Sequence, residues 1–244
     1  MLLCLASAPA ALAAGSGTAP AAAPGEVTVV QALPGDDVDV VIDGKRVHAK
    51  AAVGQVVGPF ELPAGSHEVS FTDPSGKVSV TSTLTVKAGS SSDVVVHRPA
   101  SPSGAPVVNS YTTPTDPIGP GKARVLVAHT ATVAPADVQV DGKTVFTNIA
   151  NGEYATADVP AGTHVVSLLP TGAVTNPILG PLDLAVKEGT VTMVYAVGSP
   201  KNGSMDVILH SATLRPDGSV VPDTIRTGSA GFAGGILVRP FGTG

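Results

Sequence analysis

Short runs of valine and threonine alternate with polar residues along this chain, and Gly, Pro or Asp-Gly closes almost every run. From Asp39 to Asp43, Val40 and Ile42 fall on one side of a pleat and Asp39, Val41 and Asp43 on the other, which predicts a half-buried strand with its branched pair inward. Asp43-Gly44 predicts a tight hairpin, because both central positions of a type I′ turn take positive φ. Pro63-Ala64-Gly65 predicts a second turn, after which His67, Val69 and Phe71 share parity on one strand. Read this way, the first part of the chain holds strands near 27–33, 39–43, 45–50, 54–62, 78–86, 92–97 and 106–112 as well as the His67 strand. Strands near 124–129, 137–141, 143–148, 152–159, 164–169, 182–186, 191–198 and 205–213 follow, and neither half shows a long stretch of helical period.

The two halves repeat one another. Asp39-Val40-Val41-Ile42-Asp43-Gly44-Lys45 returns as Asp137-Val138-Gln139-Val140-Asp141-Gly142-Lys143, and Pro63-Ala64-Gly65-Ser66-His67 returns as Pro160-Ala161-Gly162-Thr163-His164. The offsets, 141 − 43 = 98 and 160 − 63 = 97, indicate a duplicated unit of about a hundred residues. The predicted fold is therefore all-β, with two tandem antiparallel immunoglobulin-like β-sandwich domains. The expected division is a signal peptide and flexible spacer over 1–25, a first sandwich over 26–113, a Pro/Gly linker over 114–121, a second sandwich over 122–214 and a Gly/Ser-rich tail over 215–244. Pro114, Pro117 and Pro120 in the linker predict restricted rather than free motion between the units.

Composition narrows the functions open to such a chain. Charged residues make up 14% and the net charge is −5, so no basic face exists to release counterions from DNA or RNA. Aromatic residues make up 3%, with no Trp, which argues against stacking platforms for sugars or single-stranded nucleic acid. The one cysteine, Cys4, lies in the leader, so the mature chain is expected to carry no disulfide. Leu2 to Ala14 is apolar and Ala-rich, and Ala11-Leu12-Ala13 has the small-x-small form that a signal peptidase accepts, although a basic start is missing. A secreted or cell-surface location follows as the expectation, with no membrane insertion of the mature chain.

The order R-V-x-V-x-H over 124–129, A-x-D-V-x-V-D-G-K over Ala136 to Lys143 and V-P-A-G-T-H over Val159 to His164 resembles the bacterial extracellular family called domain of unknown function 4397. The first unit matches less closely, with Gln31 where the second has His129. Two tandem copies together span roughly 26–214. The resemblance implies secreted or wall-associated β-sandwich modules and no established chemistry.

Several residues invite a chemical reading. Asp36, Asp37 and Asp39, with Asp43 close behind, are the candidates for a metal site, since hard cations such as calcium collect closely spaced carboxylates; a solvated strand face with turn-forming Asp is the competing account. His67 and His164 follow equivalent turns, and the expected role is an amphipathic ring packed at a sandwich end with one nitrogen hydrogen-bonded. His129 and His210 raise the question of a hydrolytic triad, but no Gly-x-Ser-x-Gly elbow is present. Gly119-Pro120-Gly121-Lys122 lacks the upstream Gly and the following Ser or Thr of a phosphate loop and reads as a hinge, and Asn202-Gly203-Ser204 fits both a sequon and a turn. The resulting expectation is a non-enzymatic structural or binding module with no cofactor, whose partner is a protein or a cell-wall component. The alternative is a cation-dependent or small-ligand binder using the Asp36 to Asp43 loop, and a secreted hydrolase ranks last.

Overall fold

The computed structural model describes residues 22–215 and 220–229. The expected leader with Cys4 lies outside the described residues. The first unit comprises β1 (Gly25–Ala32), β2 (Val38–Ile42), β3 (Lys45–Ala51), β4 (Val56–Leu62), β5 (Gly65–Thr72), β6 (Ser79–Val86), β7 (Ser91–His97) and β8 (Val107–Thr112). The second repeats the plan with β9 (Lys122–His129), β10 (Ala136–Val140), β11 (Lys143–Ile149), β12 (Tyr154–Pro160), β13 (Gly162–Pro170), β14 (Leu179–Val186), β15 (Thr190–Val197) and β16 (Asp206–Leu214), and adds β17 (Val220–Ser229).

The turn chemistry acts as the sequence predicts. Asp43 and Gly44 have φ of 49° and 74°, and Asp141 and Gly142 have 51° and 75°, the pair of positive values that lets a two-residue loop follow the twist of its strands. Those hairpins join β2 to β3 and β10 to β11. The sheets run β4-β1-β7-β8 and β3-β2-β5-β6 in the first unit, and β12-β9-β15-β16-β17 and β11-β10-β13-β14 in the second. Each unit is a sandwich, and the all-β expectation holds. Its strictly antiparallel form does not, because β1 pairs with β7 and β9 with β15 in parallel. A parallel pair needs a long crossover, and the excursion through five intervening strands supplies it in each unit.

Val27, Val29, Val40, Val69, Phe71 and Val94 close the first core, and Val125, Val127, Val138, Leu168 and Val194 the second. Register shows how the copies have diverged. Phe60 faces Val27 in the first unit, whereas Ala157 faces Val125 in the second, and there Phe146 packs against the core from β11. The first core thus takes Phe60 from β4 beside Phe71 of β5, and the second takes Phe146 from β11.

A third apolar cluster lies between the sandwiches. It joins Val30, Ala32, Val95 and Tyr111 of the first unit to Leu126, Ala128, Val191, Met193, Tyr195, Val197 and Ile208 of the second. The middle sheets therefore pack face to face, and β1, β7, β9 and β15 are buried on both faces. Linker residue Ile118 packs against the same cluster. Arg124 donates to the carbonyls of Asp116 and Pro117, and the Gly121 N–H donates to Glu188 at 2.7 Å, so the segment read as a hinge is strapped to the second unit. The expected tail over 215–244 also needs correction: Val220–Ser229 pairs along the whole of β16. The β-branched Val220, Val221, Thr224, Ile225 and Thr227 carry that strand signal, which the Gly-rich composition of the tail around them masks.

Candidate functional site

Of the acidic residues that prompted the metal reading, Asp36 and Asp39 are held by separate sets of protein donors. Asp36 is buried, with its carboxylate between Lys77 at 2.6 Å and Arg98 at 2.7 Å. Burial works against its ionisation, but the hydrogen bonds from Lys77 and Arg98 outweigh that and hold its pKa below the ordinary value. Asp39 accepts from the Lys50 N–H at 2.9 Å and from Arg46 at 3.0 Å, and Asp37 is exposed. Among the described residues no three His, Cys, Asp or Glu side chains converge as a metal site.

Asp43 and Asp141 have a different task. The Nδ1–H of His67 donates to the Asp43 carboxylate at 2.7 Å and its Nε2–H to the carbonyl of Pro63 at 2.8 Å. In the second unit His164 makes the same two bonds, to Asp141 and Pro160, each at 2.8 Å. The other oxygen of each Asp accepts a backbone N–H, from Glu68 or Val165. Both ring nitrogens face acceptors, so the ring holds both bonds only as the imidazolium. Each histidine thus pins its Pro-Ala-Gly turn to the Asp-Gly hairpin, using two nitrogens where the sequence suggested one.

This pin has a predictable pH dependence. The Asp hydrogen bond, followed by the Pro carbonyl, raises the pKa of His67 and His164, and the His hydrogen bond lowers that of Asp43 and Asp141. A raised histidine contributes stability that is complete below its unfolded value of about 6.5 and is lost as pH rises through the folded value. The depressed aspartates contribute stability above about 3.9 that is lost as pH falls through their folded values. Asp206, pushed up by burial to about 6, costs stability as pH rises from about 3.9 through that value, below most of the histidine window. The double variant His67→Gln/His164→Gln is expected to lower the melting temperature more at pH 5.5 than at pH 8.5, and so to change the slope of melting temperature against pH, to which the buried His97 and His129 contribute with the opposite sign. A slope unchanged in the double variant would exclude the pins as its source.

His129 takes the place of Gln31. The Gln31 side chain braces the following loop by donating to the Asp36 and Ala51 carbonyls and accepting the Leu33 N–H. His129 keeps one of these bonds, from Nε2 to the Ala134 carbonyl at 3.1 Å, and its buried Nδ1 has no partner. Burial lowers its pKa, so the ring stays neutral. Asn202 and Ser204 form a turn, with the Asn202 side-chain oxygen accepting from the Ser204 hydroxyl and N–H.

A buried polar group lies in the seam between the sandwiches. Asp93 of β7 is fully buried and reaches across to the second unit, accepting from the Tyr195 hydroxyl at 2.8 Å and from His210 Nδ1 at 2.9 Å. Burial opposes the charged ring at His210, but the hydrogen bond and charge of Asp93 prevail and raise its pKa. Burial pushes the Tyr195 phenol well above its ordinary value, and the Asp93 charge adds to this. Around this trio, Tyr111 stacks obliquely on Tyr195 at 5.6 Å and donates to the Gly152 carbonyl at 3.1 Å. Asn151 bridges the Arg98 and Ala131 carbonyls. An Asp–His pair is half of a hydrolytic triad, but among the described residues no serine hydroxyl is hydrogen-bonded to a histidine ring, and this pair sits between two sheets.

The second sandwich also has a narrow cleft of about 60 Å³ between β14 and β16, walled by Val166, Leu182, Leu184, Val194, Val207 and Leu209. By register Leu182 and Leu209 replace Ser82 and Ser110 of the first unit, so this edge is apolar only in the second copy.

Residues 25–139 match the family model described as Domain of unknown function (DUF4397). The DUF4397 match takes in the first sandwich, the linker and most of the first two strands of the second sandwich. It therefore lies mainly on the unit whose motifs looked less close to the family. No curated protein matches the chain.

Proposed function

We propose that this chain is an exported, non-enzymatic structural or binding module of the bacterial cell surface or extracellular space, built from two tandem DUF4397 copies. The observation that carries the reading is the fusion of two sandwiches through a buried, hydrogen-bonded seam. Such a body keeps its end loops and edge strands at fixed separation, which suits it to act as a spacer or to meet a protein or cell-wall component by shape or strand addition. The second copy is supported by the shared strand order and by the His–Asp pin at both equivalent places. The reading is supported by the hydrogen bonds through which Asp36, Asp39, Asp43, His67, His129, His164 and His210 hold turns, loops and the seam. Among the described residues no helix is long and apolar enough to cross a membrane.

The test is to express the chain from Met1 in a bacterial host, fractionate the cells and sequence the N-terminus of the product, then incubate that product with purified cell walls and with intact cells. Export with cleavage close to Ala13, and retention on walls or cells that does not require divalent cations, is the expected result. A product found in the cytoplasm with its N-terminus intact would overturn the export reading. Turnover of a peptide, ester or glycoside substrate by the purified product would overturn the non-enzymatic one.

A further inference from the structure

The seam is made from the same face of two copies of one unit, and a face that buries its own duplicate can in principle also bury itself. The register shows what distinguishes the copies. Thr28 pairs with Asp93 in the first unit and its counterpart Leu126 with Met193 in the second, so Asp93 and Met193 hold equivalent places. Tyr111 pairs with Asp93 and His210 with Met193, so Tyr111 and His210 correspond. By the same reasoning Val95 corresponds to Tyr195. Where the first copy has Asp, Val and Tyr, the second has Met, Tyr and His.

We propose that Asp93, Tyr195 and His210 form a pairing code that makes each sandwich face accept the other kind of sandwich and reject its own kind. The heterotypic pair satisfies every member, with the carboxylate taking the phenol and the imidazolium. A first–first pair would bury Asp93 without a cation, because His97, the imidazole on that face, is already held between the Arg98 carbonyl and Asn109, and burial keeps it neutral. A second–second pair would bury His210 and Tyr195 against Met193 without a carboxylate. Asp206, on the same face of β16, lies four residues away, about 13 Å along a strand. An unpaired buried charge is strongly penalised, whereas an apolar mismatch costs little. The polar trio thus discriminates between partners, and the surrounding valines give affinity for any similar face.

Two complementary variants of the whole chain test this. Asp93→His places histidine against His210, and His210→Asp places carboxylate against Asp93. Each variant alone is expected to lose docking, seen as a larger radius of gyration and faster tumbling of each unit, and to stay monomeric by light scattering. Mixed in equal amounts, they present one matched pair in each direction across two chains. The mixture is expected to form a heterodimer at micromolar concentration, at least tenfold more than either variant alone. Combining both substitutions in one chain should restore a docked monomer, and this also controls for folding: if the single variants fail to fold, recovery in the combined chain still supports the code. Docking retained in either single variant, homodimers as abundant as the mixed dimer, or no recovery in the combined chain would each overturn the proposal.

Discussion

Replacing Asp93 by alanine is expected to cost the protein about 3–5 kcal/mol, the usual penalty for breaking a buried ion pair by removing one partner. The carboxylate is fully buried and serves two donors from the other unit, so its removal leaves the Tyr195 hydroxyl and the His210 ring facing apolar side chains. Neither can turn to water, because both residues are themselves buried. Urea unfolding at pH 6, where the His210 ring is charged, reads the effect directly. The triple variant Asp93→Leu/Tyr195→Phe/His210→Leu provides the decisive contrast. It removes every buried polar group of the trio, and replacing such a cluster by apolar groups is often neutral or stabilising. Its stability is expected to return close to that of the natural chain. A triple variant as unstable as Asp93→Ala would mean that the loss comes from packing around Asp93 and not from the stranded donors.

The second large effect belongs to the first core. Phe71 is completely buried, opposite Val40 across β2 and Val80 across β6. Truncation to alanine removes most of a ring from a closed sandwich and is expected to cost about 3–5 kcal/mol, of which a part is the cavity left when the neighbours do not collapse. The counterpart Leu168 of the second unit, paired with Val138 across β10, is smaller, and its truncation should cost about 2–5 kcal/mol, towards the lower end because that copy already tolerates an apolar cleft near its core. Calorimetry on both variants reads the difference. Equal losses in the two copies would show that the second core is as tightly closed as the first.

Most of the strand layout was legible from local signals. Asp-Gly and Pro-Ala-Gly turns need particular backbone angles, and alternating Val and polar residues can satisfy a pleat with one wet face, so hairpins and parity followed. The docking of the sandwiches was not read, although its signal is present. Val94-Val95-Val96 and the run from Val191 to Val197 do not alternate, which is how strands covered on both faces are written. Asp93 gives no local signal, because a single acid after three serines reads as a polar strand end, and its partners lie 102 and 117 residues away. The partner of His67 was within reach, since Asp43 and His67 recur together as Asp141 and His164. The candidate metal residues were misleading for a simple reason: spacing along a loop does not tell which cations lie across from it, and Lys77 and Arg98 come from distant segments.

The two-sided burial of the middle strands also bears on how the chain comes into being. During synthesis the first sandwich is complete about a hundred residues before the strands that will cover its outer face exist. For that interval Val30, Val95 and Tyr111 stand in water, a sticky surface on a nascent chain. Asp93, at the centre of that face, keeps its water for as long as it waits, and it loses that water only when Tyr195 and His210 arrive to replace it. A chain that stopped at the linker would keep the sticky face for good, so premature termination there should yield an aggregating fragment and not a working half.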